Sequence, residues 1–260
     1  MAVTEQELTL KATPAEAPAG APAGPSRLTV ATAESLGLKM DPQLEVPEWA
    51  RTQTKGYEKR LVARVEEYLA KMDAKLDQDD GVAELGEVTS GPYVGLDVLS
   101  SSPRQQITLP PYSPSRIIAA GESAVITAVV FINPAVDVAN GFAIPATVQL
   151  ANRPIRVRLE QIDLTNLTNG PDFTATGILP SPAPTLIFVN FPFTAADPGV
   201  NPALFEANVT VDIGDPVQPW AAMATRHLSR DADPGFLGLP PEPPNQLLNN
   251  IPNRYLVYRR

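Results

Sequence analysis

The placement of proline is the feature that most constrains how this chain folds. The sequence holds 29 prolines in 260 residues, and eight of them fall within residues 215–260. Proline lacks a backbone N–H and has φ held near −65°, so helix interiors and central strands exclude it. Regular structure is therefore expected mainly between two extended ends.

The first 48 residues, 1–48, are predicted to form an extended or disordered arm. Residues 12–25 are a low-complexity run of alanine, proline and glycine. Such a run cannot bury enough apolar surface to offset the entropy lost on ordering. Residues 26–48 add only short apolar patches, which predict either a linker or a peptide that docks on a surface. Trp49, which follows, is a candidate anchor for such docking.

One amphipathic helix is predicted over residues 49–80. Apolar residues recur every three or four positions between residues 57 and 76, and charged residues occupy the other faces. This spacing is typical of a single apolar stripe on a helix with 3.6 residues per turn. The stripe packs either on a sheet of the same chain or on a helix of another subunit, and both arrangements stay open.

An antiparallel β-sandwich domain is predicted over residues 104–216. About seven apolar segments with a two-residue period follow one another there, separated by turn residues. The pattern indicates a mainly β fold of immunoglobulin-like or jelly-roll type, because helical periodicity is missing from this region. In residues 155–164 the alternation slips between Leu159 and Ile162, which predicts a β-bulge.

Residues 217–260 are predicted to form a second Pro-rich arm that ends in a strand. Residues 240–244 favour polyproline II, whereas the last six residues of the chain have high β propensity. The terminal strand either folds back on the edge of its own sandwich or adds to the edge of a neighbour by β-augmentation.

Few residues in the sequence could carry out chemistry. There is no cysteine, which excludes disulfides, thiolate nucleophiles and cysteine-ligated metals. The one histidine, His227, is expected to be structural, because neither a Gly-x-Ser-x-Gly elbow nor a phosphate-binding glycine loop is present. We therefore predict no catalytic residue, no cofactor and no metal site.

Charge and hydropathy exclude two classes of partner. Lysine and arginine number 20 against 29 acidic residues, a net charge of −9, whereas nucleic acids require a cationic surface. No apolar run reaches the roughly 18–20 residues of a membrane-spanning helix. Residues 1–10 lack the basic and apolar regions of a signal peptide, so we expect cytoplasmic synthesis without one.

These features together predict a non-enzymatic structural protein of a large particle. A phage-type capsid, decoration or tail component, held to its neighbours by the terminal arms, fits the architecture by analogy. Its partners are expected to be itself, as a homo-oligomer, or other subunits of the assembly. The predicted interface residues are Trp49, Tyr57, Leu61, Tyr68, Tyr255, Leu256, Val257 and Tyr258.

Two other functions stay as alternatives. A β-sandwich binding module for carbohydrate or a cell surface would present aromatic side chains on one sheet face, or calcium ligands such as Asp197, Asp212 and Asp215. An enzyme with dispersed carboxylates would need two acids in unlike environments within one pocket. Assembly through the arms predicts that deleting residues 1–48 or 240–260 leaves a folded sandwich that no longer assembles.

Overall fold

The structure, a computed structural model, describes residues 28–78, 94–106, 116–137, 143–214, 219–225, 227–228 and 252–259. The low-complexity run of residues 12–25 and the polyproline segment of residues 240–244 lie outside the described residues. The helices are α1 (Glu48–Gln78) and α2 (Ala146–Gln149). In chain order the strands are β1 (Val30–Thr32), β2 (Lys39–Asp41), β3 (Leu96–Ser101), β4 (Arg104–Gln105), β5 (Ile117–Ala119), β6 (Ser123–Ile132), β7 (Pro154–Asp163), β8 (Thr168–Asn169), β9 (Phe173–Ile178), β10 (Leu186–Thr194), β11 (Ala203–Ile213), β12 (Trp220–Met223), β13 (His227–Leu228) and β14 (Asn253–Tyr258).

The strands form two sheets. The six-stranded sheet has the order β1-β10-β6-β3-β13, with β4 paired to β6. The eight-stranded sheet has the order β2-β9-β7-β11-β14-β5, with β8 paired to β7 and β12 paired to β11. The pairs β1–β10, β3–β13 and β5–β14 are parallel, and the long central strands are antiparallel to their neighbours. The mainly β fold predicted from the sequence is confirmed.

A common core joins the two sheets. Ile126 and Val130 of β6 lie in the same buried cluster as Val157 of β7 and Val209 of β11. Successive side chains of a strand point to opposite faces, so every second residue of these strands enters the core. Burial of each such side chain contributes about 1.5–3 kcal/mol, which makes this cluster the main source of stability.

The strands β6 and β10 are buried on both faces, which explains why their sequences are almost continuously apolar. The eight-stranded sheet covers one face, and α1 covers the other. Leu61 and Val65 of α1 pack with Val129 of β6 and Phe188 of β10. The stripe of the helix therefore packs on a sheet of its own chain, the first of the two arrangements that the sequence left open.

Two asparagines fix the position of α1 on the six-stranded sheet. In the first half of the helix the Thr54 hydroxyl donates to Asn190 Oδ1 over 3.0 Å, and the Thr127 hydroxyl donates to the same oxygen over 2.6 Å. In the second half Asn133 Nδ2 donates to the Tyr68 hydroxyl oxygen over 2.8 Å. Because a buried polar group is costly unless it is paired, these contacts disfavour other registers of the helix.

Arg104 of β4 adds a cationic contact between the sheet and α1. Its NH1 donates to Gln53 Oε1 over 2.9 Å, and its guanidinium lies 4.9 Å from the centroid of the Tyr57 ring. Burial lowers the pKa of Arg104, and its charge interaction and hydrogen bond with the Tyr57 side chain oppose that shift. Arg104 is thereby held as part of the helix-binding surface.

The two-sheet unit extends beyond the predicted range of residues 104–216. The strands β1 and β2 come from the predicted arm 1–48, and β14 comes from the predicted arm 217–260. The terminal strand β14 lies between β11 and β5, so it folds back on its own chain. The sequence predicts a strand at the end of the second arm and leaves its pairing open, whereas β1 and β2, with three residues each, are too short to show a two-residue period.

The β-bulge predicted after Leu159 is absent from the β7–β11 ladder, which runs through nine consecutive residue pairs. Gln161 points into the protein in regular alternation, and Ile162 points outwards. Gln161 accepts a hydrogen bond from the Tyr255 hydroxyl and donates to the Pro171 carbonyl oxygen over 2.6 Å. The apolar pattern slips because an inward position is polar and satisfied, and the prediction of a bulge within β7 was wrong. The extra residue lies in the facing segment, since β7 pairing passes from Leu159–Phe173 to Ile162–Asn169.

Leu61→Ala should lower the free energy of unfolding by about 2–5 kcal/mol, because it leaves a cavity between α1 and the six-stranded sheet. Urea unfolding followed by circular dichroism measures the loss. The matched control is Lys59→Ala, on the exposed side of the same helix, which should change stability by less than about 0.5 kcal/mol. Equal effects of the two substitutions would contradict the packing of α1.

Stability should fall above about pH 10, because burial raises the pKa of Tyr68 and of Tyr255 above their unfolded values. The unfolded chain then loses phenolic protons that the folded chain retains. Each tyrosine is stabilising below the unfolded pKa and costs up to about 1.4 kcal/mol per pH unit above it. Urea midpoints measured at alkaline pH test this, and Tyr68→Phe should make the decline shallower. An unchanged decline in that variant would count against the buried hydroxyl.

Candidate functional site

The eight-stranded sheet has one face that no other layer of the described chain covers, here called the outer face. Alternation along β7 and β11 places every second residue of those strands on it. The six-stranded sheet presents no comparable face, because it contacts the eight-stranded sheet on one side and α1 on the other. A partner that binds a sheet face of this chain therefore meets the outer face.

Charged side chains on the outer face form ion pairs across neighbouring strands. Arg156 Nε of β7 donates to Asp212 Oδ2 of β11 over 2.9 Å, and Arg158 NH2 lies 3.8 Å from the same carboxylate oxygen. Arg254 Nε of β14 donates to Glu206 Oε2 of β11 over 2.8 Å. Exposed pairs of this kind contribute only about 0–1 kcal/mol to stability. Their main effect is on the pattern of charge that a partner meets.

The outer face is balanced in charge although the chain is acidic. The remaining surface therefore carries most of the net charge of −9, and an acidic partner meets the least repulsion at the outer face. The charged residues that point outwards are Lys39, Arg156, Arg158 and Arg254, with Asp41, Glu160, Glu206 and Asp212.

Four aliphatic side chains lie together at one end of the outer face and are here called the apolar row. Leu204 of β11 pairs with Leu256 of β14, which pairs in turn with Ile117 of β5. Ile162 of β7 is diagonal to Leu204, since it pairs with Glu206 two residues further along β11. The side chains of Ile117, Ile162 and Leu204 are 44%, 40% and 37% exposed. Aliphatic surface shared by four adjacent strands is a candidate interaction surface.

An open groove of about 900 Å³ lies on the outer face beyond the apolar row. Its lining includes the Arg156–Asp212 ion pair, Thr210 of β11 and Met223 of β12, which pairs with Thr210. Arg158, also in the lining, lies 3.6 Å from Glu160 and 3.8 Å from Asp212, so the lining carries two cations and two carboxylates. The groove can therefore hold a polar ligand by hydrogen bonds and charge.

The structure describes two of the three carboxylates considered as calcium ligands, and each has another partner. Asp212 binds Arg156, and Asp197 Oδ1 accepts the N–H of Gly199 over 2.9 Å. Asp215 lies outside the described residues, and His227 lies in β13. Within the described ranges, no group of three or more His, Asp or Glu side chains could hold a metal ion.

The predicted interface residues divide between the interior and the surface. Five of them are buried within the chain, namely Tyr57, Leu61, Tyr68, Tyr255 and Val257. Three retain accessible surface, namely Trp49, Leu256 and Tyr258. Of the whole set, Leu256 belongs to the apolar row. The role of these eight residues as an interface stays a prediction. In the structure, the five buried residues pack in the hydrophobic core of the chain.

Sequence reasoning missed the other three members of the apolar row. The alternation of β11 does contain a signal for Leu204, because its neighbours on either side are inward residues. Ile162 was assigned to a bulge instead, and Ile117 lies in a three-residue strand with no readable period. The row exists only because strands distant in sequence lie side by side.

Comparisons with known proteins leave the function to be argued from geometry. Neither protein-family models nor curated protein sequences match the chain. In the part of the chain that the structure describes, none of the helices combines the length and the apolar character needed to cross a bilayer. The outer face, with its apolar row and its groove, is the feature on which a functional argument rests.

Val209→Asn should lower the free energy of unfolding by roughly 3 kcal/mol or more, because it removes a buried aliphatic side chain and inserts an amide without a partner. Thr210→Asn, the adjacent position on the outer face, is the matched control and should change stability by less than about 1 kcal/mol. Chemical unfolding of both variants measures the difference. Similar losses would contradict the assignment of inner and outer faces along β11.

Proposed function

We propose that the chain is a non-enzymatic structural protein that assembles with further subunits into a large particle, as a phage-type capsid, decoration or tail component. The observation that carries the proposal is the apolar row on a charge-balanced face of an acidic chain. Exposed aliphatic side chains are removed from water when a partner covers them, and that burial drives association.

The size of the outer face supports a stable interface. The adjacent strands β9, β7, β11, β14 and β5 hold 36 residues, and each residue covers about 4.8 Å by 3.3 Å of a sheet, so the face measures roughly 570 Å². Stable protein interfaces bury about 800 Å² on each partner, which is of the same order as this face. The ion pairs around the apolar row correspond to the polar rim that surrounds the apolar centre of such interfaces.

We further propose that the two sheets form a β-sandwich of immunoglobulin-like topology. In chain order β3, β6, β7, β9, β10, β11 and β14 take the positions of strands A, B, C, C′, E, F and G. The sheet orders β3-β6-β10 and β9-β7-β11-β14, with antiparallel neighbours, support this correspondence. The topology favours this alternative over the jelly roll, although a fold alone does not define a function.

A binding module for carbohydrate or a cell surface is the second candidate, and the groove favours it. The Thr210 hydroxyl, the Asp212 carboxylate and the Arg158 guanidinium, whose side chain is 37% exposed, offer both donors and acceptors to a polar ligand. The described lining residues include no aromatic ring, so a sugar would be held there by hydrogen bonds without stacking.

Deletion of the predicted arms is a poor test of assembly in view of the fold. Removing residues 1–48 takes away β1 and β2, and removing residues 240–260 takes away β14 with its buried Tyr255 and Val257. Both deletions remove strands from the sheets, so a loss of assembly would not separate unfolding from a missing contact. Point substitutions on the outer face avoid that ambiguity.

The full-length chain should have a mass of more than one chain at micromolar concentration, and Leu204→Glu should shift it towards the single-chain mass. A carboxylate buried in an apolar interface without a partner is strongly unfavourable, whereas on an exposed strand it is tolerated. Light scattering coupled to size-exclusion chromatography measures the mass, with circular dichroism to verify folding.

Ile178→Glu is the matched control, because Ile178 is an exposed aliphatic residue of the same sheet outside the apolar row. This variant should keep the mass of the unsubstituted chain. A single-chain mass at every concentration up to the solubility limit would show the assembly function to be wrong. Glycan binding that is lost in Arg158→Ala would then favour the second candidate.

A further inference from the structure

We infer that the apolar row is covered by a second copy of this chain, related to the first by a two-fold axis that runs along the strands between β11 and β14. The inference rests on the proposed function and adds to it the identity of the partner and its orientation. It follows from the register of β11 and β14 and from the charges beside the row.

The register of the two strands makes the apolar row self-complementary. Consider two copies that pack face to face, with a two-fold axis between them that runs parallel to the strands. This axis places each strand opposite the strand on the other side of the axis in the partner, and it leaves the position of a residue along the strand direction, here called its height, unchanged. Leu204 and Leu256 are directly paired, so they lie at the same height on either side of that axis. Leu204 then meets Leu256 of the partner copy. On the next strands outwards, Ile117 of β5 lies level with Leu256, whereas Ile162 of β7 lies two residues further along the strands. These two side chains therefore flank the central leucine pairs and do not meet each other.

The same operation brings opposite charges together. Glu206 and Arg254 are also directly paired, and they follow Leu204 and Leu256 on the outer face at the next outward position. Each Glu206 therefore meets Arg254 of the other copy, and four charges of alternating sign surround the axis. Such complementarity fixes the orientation of two partners in addition to adding affinity.

The other two-fold arrangement of the apolar row lacks this match. The alternative axis runs perpendicular to the strands, along the apolar row. It places a residue two positions from the row on one side opposite the partner's residue two positions from the row on the other side of the same strand. Arg254 then meets Tyr258, and Glu206 meets Pro202, so no opposite charges come together. The charge pattern therefore selects the axis along the strands.

A second copy fits this surface better than an unrelated partner does. Two chains that each carry a net charge of −9 repel one another over most of their surfaces, and the outer face is the balanced exception. An isologous interface requires one patch to be complementary to itself. The pairs Leu204–Leu256 and Glu206–Arg254 meet that requirement at two successive positions.

Charge reversal tests the partner and the orientation together. Glu206→Arg places four positive charges around the axis, and Arg254→Glu places four negative ones. Each should weaken self-association at least about tenfold, because like charges then face each other across the interface. The double variant Glu206→Arg/Arg254→Glu restores every contact with reversed signs and should associate as the unsubstituted chain does.

Mixing the two single variants gives the sharpest result. A heterodimer of Glu206→Arg with Arg254→Glu sets arginines of one chain against glutamates of the other at both positions. Two variants that are each single chains alone should therefore form a dimer when mixed, as measured by light scattering and native mass spectrometry. Lys71→Glu is the matched control, since it breaks a 3.0 Å ion pair with Glu67 on α1, away from the outer face, and should leave the mass unchanged.

The remaining outcomes separate this inference from the proposed function. An oligomer that persists in both charge reversals would overturn the inference, while assembly through another surface would stand. Single variants that stay single chains when mixed would overturn the two-fold arrangement, as would an apolar row covered by another segment of the same chain. A single-chain mass of the unsubstituted protein at every concentration would overturn both the inference and the proposed function.

Discussion

The burial of β6 and β10 on both faces is the constraint on which the rest of the structure depends. The helix α1 covers one side of these strands, and the eight-stranded sheet covers the other. Because α1 is used in this way, no described helix is left to cover the eight-stranded sheet. The outer face is open as a direct consequence, and its aliphatic residues stay in contact with water unless another molecule removes them.

Polar groups have different roles at the two layers of contact. Beneath α1, Asn190 and Asn133 are buried and paired, so they select one position of the helix on the sheet. On the outer face the pair of Arg254 and Glu206 is solvent-exposed and contributes little to the stability of the single chain. The pattern of charge that such pairs create becomes important only where a second surface approaches.

The sequence predicted the elements that have a clear local periodicity. It did not predict which distant strands pair, and it misled where a single polar residue interrupts an apolar alternation. The stripe of α1 was recognised because residues three and four apart meet on one helix face. Gln161 was misread as a sign of a bulge, since a satisfied polar side chain in a core looks like a change of register. The part of the candidate site visible from the sequence was Leu256, in a terminal segment that was already expected to make contacts.

Sequence alone determined the long helix α1 and the run of apolar strands that follows it, because these properties depend on neighbours within a few residues. The short helix α2 and the strands β1 and β2 are too brief to show a period. Only the tertiary structure decided which strands lie side by side and which face stays open. Ile117 and Leu204 lie on either side of Leu256 although they are far from it in the chain. That arrangement depends on strand pairing across long loops, and a local pattern contains no information about which distant strand will be the neighbour.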